Sequence, residues 1–227
     1  MGYQPGEKTA DGYLALPPTG AGPGVLVLHA WWGLNDFFTG LCDRLAGEGF
    51  VALAPDLNGG AIASAIPEAE ALRAKLDEDA AGGAALRGLD ALAAHPSVLG
   101  DRIGVLGCSM GAWWAVQMSA LRPEQVAAAV LFYGAGEADF TAARSAYLGH
   151  FAETDPWDPV EYALAMEEKM RAAGREVTLH VYPGAGHWFI ESNRPDSYNP
   201  EAAELAWART LSFLKDRLGA AVAPPQA

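Results

Sequence analysis

At 227 residues, with 51% hydrophobic and 19% charged side chains, the chain holds enough apolar material for one sizeable core, and no linker or charge run divides it. A formal charge of −13, with 15 Lys+Arg scattered along the chain, offers no basic stripe to nucleic acid. No apolar run nears the ~20 residues of a membrane span and the first residues carry no apolar leader, so no membrane partner and a cytoplasmic location are expected. The expected organisation is a single α/β domain over 1–219 with a flexible tail at 220–227, as a monomer or small homo-oligomer. Cys42 and Cys108 read as free thiols, since a core of this size needs no staple.

Strand-like and helix-like segments alternate, the pattern of a mostly parallel sheet covered on both faces. Thr9 to Leu16 is predicted as an antiparallel edge strand. The run Gly24–Leu28 is short, unalternating and β-rich, as a strand buried on both faces should be. Asn35 then caps a helix carrying Phe38, Leu41 and Leu45 on one face, released by Gly47 and Gly49. Phe50–Ala54 is the next strand, stopped by Pro55 and Asp56. A long helical region is predicted over 67–94, bent near Gly82 and Gly83. Further strands are expected at Arg102–Leu106, Val126–Tyr133, Ala146–Phe151 and Val177–Tyr182. A helix from Pro159 places Tyr162, Met166, Met170 and Ala173 on one face, and the last presents Trp207, Leu211, Leu214 and Leu218 before Gly219. These stripes are core faces, and their Met and Trp residues need no cofactor to explain them.

Chemistry concentrates where strands end and helices begin. Directly after the 102–106 strand comes Gly107-Cys108-Ser109-Met110-Gly111, running into the helical Ala112-Trp113-Trp114. A G-x-S-x-G match alone is weak, but between a strand and a helix it describes a nucleophile on a strained turn, with glycines admitting close backbone approach. The following N–H groups, at a helix N-terminus, face the position of an oxyanion. A serine hydroxyl at neutral pH needs a base oriented by an acid, and in this arrangement acid and histidine follow the serine in sequence. Of the five histidines, His150 and His180 fall inside strands, whereas His187 follows the Gly184-Ala185-Gly186 turn beyond the 177–182 strand and is the candidate base. Asp155, just past Phe151, is the preferred acid; Asp158 more naturally caps the next helix, and Asp139 is a further alternative. His29, ahead of Ser109, is expected to hold the loop after the 24–28 strand from beneath the site. Trp31, in that loop, and Met110 are the expected backbone oxyanion donors.

At this point the chain resembles the dienelactone hydrolase family over nearly its whole length. The resemblance is carried by HAWWGLN (29–35), Ala54-Pro55-Asp56-Leu57, GCSMGAWW (107–114), LGHFAETDPW (148–157) and YPGAGHWF (182–189). It implies a compact α/β-hydrolase fold without a large lid, cleaving esters and lactones through a nucleophile–His–Asp triad that falls on Ser109, His187 and Asp155. Three departures stand out. Serine replaces the family's usual cysteine, with Cys108 one position before it; Ala30 stands where the family typically has a glutamate; and Glu191 stands where dienelactone-cleaving members carry an arginine for the substrate carboxylate. The resemblance therefore implies that an anionic lactone would be repelled by Glu191, unless Arg194 supplies the missing cation.

Trp32, Trp157, Trp188 and Phe189 are expected to wall an apolar substrate pocket beside Trp31 and Glu191. No metal-ligand spacing and no G-x-G-x-x-G after a strand is present, so no metal and no cofactor are expected. The expected activity is hydrolysis of small carboxylic esters or lactones. Dienelactone hydrolysis itself, amide, thioester or acyl-transfer chemistry on the same residues, and a non-catalytic ligand-binding module are the alternatives.

Overall fold

The computed structural model describes residues 5–9 and 12–219, so the expected tail at 220–227 lies outside the described residues. An eight-stranded sheet forms the centre: β1 (Glu7–Thr9), β2 (Gly12–Ala15), β3 (Gly24–Leu28), β4 (Val51–Pro55), β5 (Ile103–Cys108), β6 (Val126–Phe132), β7 (Ala146–Thr154) and β8 (Val177–Gly186). Their spatial order is β1-β2-β4-β3-β5-β6-β7-β8. From β4 onward every neighbour is parallel, while β2 runs antiparallel to both β1 and β4. The expected edge strand is thus two short strands, whose junction at 10–11 lies outside the described residues.

Both faces of the sheet are buried, and side-chain alternation divides them. Val25 and Val27 of β3, with Leu106, Val130 and Phe132, point to a core shared with α1 (Asp36–Gly47) and α6 (Pro200–Leu218). Leu26 and Leu28, with Ile103, Val105, Ala129 and Leu131, point to the opposite core, under α3 (Glu78–Ala93), α4 (Met110–Leu121) and α5 (Val160–Ala172). Period-2 geometry on an unbroken apolar run explains this: each strand must supply apolar side chains to two layers at once. Asn35 caps α1 as expected, its side chain accepting from the Phe37 N–H, and Phe38, Leu41 and Leu45 are buried beneath it.

The helices differ from expectation in two places. The region 67–94 is broken at Leu76 and Asp77, separating α2 (Ile66–Lys75) from α3, and runs straight through Gly82 and Gly83. Asp77 starts the new helix by accepting from the Ala80 N–H at 3.0 Å. Gly82 is a packing contact, since a Cβ there would lie 3.0 Å from the Trp114 ring. On α5 the buried stripe is Ala163, Met166 and Met170, while Tyr162 faces outward and is exposed. If the cap at Asp77 sets the break, Asp77→Ala should lower the unfolding free energy by about 1 kcal/mol in urea titration, with the midpoint moved and the slope unchanged.

Candidate active site

At the C-terminal end of β5 the chain turns from strand to helix within one residue, Ser109, whose φ is 53° and ψ −117°. Among the described residues, the other non-glycine residues with positive φ are Tyr133, after β6, and Trp188, after β8. All three stand around one point at the carboxyl edge of the sheet, and backbone of this kind costs roughly 1–3 kcal/mol per residue. The motif glycines have steric reasons. A Cβ on Gly107 would sit 2.1 Å from the Gly111 oxygen, and one on Gly111 would sit 2.0 Å from the Leu28 oxygen. The helix α4 is therefore pressed against β3 and β5 with no room for a methyl group.

Ser109, His187 and Asp155 form one hydrogen-bonded chain. The His187 Nε2 lies 3.0 Å from the Ser109 Oγ, and its Nδ1 lies 2.6 Å from Asp155 Oδ2. Asp155 accepts two further bonds at Oδ1, from the Trp157 and Asp158 N–H groups, both at 2.9 Å. That carboxylate is nearly saturated, which fixes its orientation and leaves the Nδ1–H as its side-chain donor. The Nε2 then carries a lone pair toward the serine hydroxyl. The Tyr133 ring meets the His187 ring edge-on with centroids 4.9 Å apart.

The other histidines lie elsewhere. His29 is fully buried; it donates from Nδ1 to the Ala30 carbonyl and accepts at Nε2 from the Leu57 N–H, tying the loop after β3 to the loop after β4. Burial holds its pKa below the ordinary imidazole value. His150 is sealed between the hydroxyls of Tyr182 and Thr210, and burial depresses its pKa strongly. Of the alternative acids, Asp139 is a surface group bonded to Thr141. Asp158 does not cap α5: its carboxylate reaches across to accept from the Ala135 N–H at 3.0 Å. Burial raises its pKa to about 6.

A cavity of about 300 Å³ opens over Ser109. Of the residues expected there, Trp31, Met110, Trp157 and His187 line it. Met110 is the first residue of α4, so its N–H has no carbonyl one turn earlier to bond. Trp32, Trp188, Phe189 and Glu191 do not line it. Trp32 and Phe189 are completely buried, and Trp32 and Trp188 back the cavity wall, with ring centroids 5.4 and 6.2 Å from Trp31. In their place stand Trp113, Trp114 and Ala135, with Asp158 and the Arg73–Glu78 ion pair. Trp113 and Trp114 follow the nucleophile motif directly, which was a signal for their position; Arg73 and Glu78 arrive from α2 and α3 and carried none.

Glu191 is the clearest correction. Its carboxylate is fully buried; it accepts from the Tyr133 hydroxyl at 2.9 Å and pairs with the Arg194 Nε at 3.1 Å. The Arg194 guanidinium in turn lies against the Trp32 ring. Glu191 is thus a compensated internal group, and neither it nor Arg194 lines the Ser109 cavity to repel or clamp a substrate. Cys108 is also fully buried, and burial pushes its thiol far above the usual range, away from the reactive thiolate.

A serine–imidazole–carboxylate chain on a strand-to-helix turn, at the carboxyl edge of a mostly parallel sheet, marks the molecule as an α/β hydrolase. Sequence comparison narrows this. The model of the dienelactone hydrolase family matches residues 10–218. A carboxymethylenebutenolidase of a Pseudomonas species is 33% identical over 218 residues, covering 89% of this chain and 88% of its own. Protein usf of Aquifex pyrophilus is 32% identical over 216 residues, covering 91% and 93%. The solved structure of m3DLH superposes with a TM-score of 0.82 at 26% identity, covering 92% of each chain. The chain belongs to the dienelactone hydrolase family, a family of carboxylic ester hydrolases.

Glu191 yields a test through stability. Burial raises its pKa from 4.5 to about 7 in the folded protein. An acid whose folded pKa is raised contributes stability that is present below its unfolded pKa and is lost as pH rises through the folded one. Unfolding free energy should therefore fall between about pH 4.5 and 7, by at most about 3 kcal/mol from this group. In Glu191→Gln, urea unfolding across the same window should lack that component.

Proposed function

We propose that the protein hydrolyses small carboxylic esters or lactones with Ser109 as nucleophile, His187 as general base and acid, and Asp155 as the group that orients and stabilises the imidazole. The continuous hydrogen-bonded chain from Ser109 Oγ through His187 to Asp155 carries this reading. The Ser109 oxygen attacks the carbonyl carbon while its proton passes to His187 Nε2. The C–O double bond opens to an oxyanion, received by the backbone N–H groups of Trp31 and Met110. Collapse expels the alcohol oxygen, which takes the proton from His187, and the acyl group remains on Ser109. A water then gives a proton to His187 and attacks the acyl carbon; the acid leaves as the proton returns to Ser109.

Size and lining favour small substrates. A volume of about 300 Å³ is at the lower end for ligand pockets, and the Trp31, Trp113, Trp114 and Trp157 rings suit an apolar or aromatic acyl compound. Substrate charge is governed by what faces the cavity: Arg73, already paired with Glu78, and Asp158. Glu191, buried against Tyr133 and Arg194, is not among the groups that face the cavity.

Ser109→Ala should lower kcat/KM for a simple aryl ester by several orders of magnitude, and a serine-directed phosphonate should add its mass to Ser109 alone. Asp155→Asn should cost on the order of 10⁴ in turnover with the fold retained, by the cost of that change in a related triad. Cys108→Ala should keep most of the activity. Phosphonate labelling that misses Ser109, or activity that survives Ser109→Ala and is lost in Cys108→Ala, would reverse the assignment.

A further inference from the structure

Asp158 stands out among the side chains around the cavity. It is half-buried, its first oxygen accepts from the Ala135 N–H, and among the described residues no protein donor reaches its second oxygen. The mechanism does not use it, since the bond to His187 comes from Asp155. Asp158, Ala135 and Trp113 also line a second cavity, of about 280 Å³, which continues along α5 past Tyr162, Ala165 and Met166. The two cavities meet over these shared residues, with the carboxylate at their junction.

Resting on the ester-hydrolase reading above, we propose that the two cavities form one bipartite cleft in which Asp158, with the rings of Trp113 and Tyr162, binds a cationic ammonium limb of the ester. An ammonium group needs negative charge and polarisable faces, and the junction supplies both. Trp113 and Tyr162 are exposed rings with no role in the core, and such ring faces attract a cation. The nearest cations offer little opposition: Arg73 is paired with Glu78, and Lys169 at the far end with Glu137. The remaining charged neighbours are Asp155 and His187, bonded to each other. A chain charge of −13 steers cations toward the molecule as a whole.

Ionisation gives the proposal a second signature. The Asp158 carboxyl titrates at about 6, raised by burial, so its attraction for a cation is present above that pH and lost below it. The Ser109–His187–Asp155 chain acts alike on every substrate, so a ratio between two esters cancels its contribution.

The probes are acetylcholine and the neutral ester in which carbon replaces the quaternary nitrogen, 3,3-dimethylbutyl acetate; neither titrates. The ratio of their kcat/KM values should favour the cation about tenfold near pH 8, a difference of roughly 1.4 kcal/mol, and fall severalfold near pH 5. Asp158→Asn should lower the ratio severalfold near pH 8 and remove its dependence on pH, with thermal unfolding reporting whether the variant remains folded. Ala165→Leu changes an exposed position on α5, so it is a variant independent of the Asp158–Ala135 bond, and by filling the second cavity with an apolar, non-aromatic side chain it should also reduce the ratio. A ratio of unity in the parent protein near pH 8, or a pH-dependent preference that is undiminished in either variant, overturns the cleft while leaving the hydrolase reading intact. No hydrolysis of either ester, together with no phosphonate adduct on Ser109, overturns both.

Discussion

Everything at this site depends on a steric constraint at the end of β5. The strand must give way to α4 within a single residue, because β3 lies against the first turn of the helix and leaves no space for a side chain at Gly111. Ser109 takes up the whole change of direction in a left-handed conformation, with its N–H anchored to the Phe132 carbonyl at 2.9 Å. Its side chain is thereby thrust out at the sheet edge, while Cys108, one residue earlier and still in the strand, turns into the core. The same turn leaves the first N–H groups of α4 without carbonyl partners beside the hydroxyl. The exposed Ser109 hydroxyl and the unpartnered N–H groups beside it are two results of one backbone event.

Much of this was legible in the sequence because both layers of the fold leave strong patterns. A parallel strand covered on two sides has no polar positions, so Gly24–Leu28 and Val126–Phe132 read as strands without ambiguity, and the motif between β5 and α4 could be placed by its flanks. His187 and Asp155 were recoverable for a related reason: a polar residue just past a buried strand has no structural task in the core. The misreadings share a cause. Trp32, Trp188, Phe189 and Glu191 lie in the correct loops, but a loop position does not say which way a side chain points. In a chain this compact all four turn inward: Trp32, Phe189 and Glu191 are completely buried and Trp188 is buried beside them. The break at Asp77 was hidden because glycines are the louder signal in a helical stretch, and Gly82 exists to let Trp114 approach.

The buried ion pair extends this point to charge. An unpaired carboxylate in the interior would be driven to protonate or would cost several kcal/mol, so Glu191 is tolerable only with Arg194 and the Tyr133 hydroxyl both in place. Arg194 reaches it by crossing the Trp32 ring, and that ring in turn supports Trp31 at the cavity wall. The family resemblance implied an acid in the loop after β3 and a base at position 191. Here Ala30 and Glu191 stand in those places, with Arg194 as counter-charge, so a carboxylate still enters the interior beside Cys108 but from the opposite loop. The resemblance implied, from Glu191 alone, a change in substrate charge. The packing makes it a rearrangement of the support beneath the nucleophile.

Two carboxylates three positions apart in one loop, Asp155 and Asp158, illustrate how environment divides chemical roles. Asp155 receives two backbone N–H groups and the imidazole, so its negative charge is balanced by fixed donors and its geometry is locked. Asp158 receives one backbone donor and lies half-buried against open volume, with the charge of Asp155 nearby opposing its own ionisation. The first acid is thereby closed to substrate and suited to holding a base in place. The second keeps an unused acceptor facing the cleft, and the single N–H at Ala135 that holds it also fixes the wall between the two cavities. A loop of the form D-P-W-D thus gives its two carboxylates different partners: the Trp157 and Asp158 N–H groups close on Asp155, while the Asp158 carboxylate takes the Ala135 N–H.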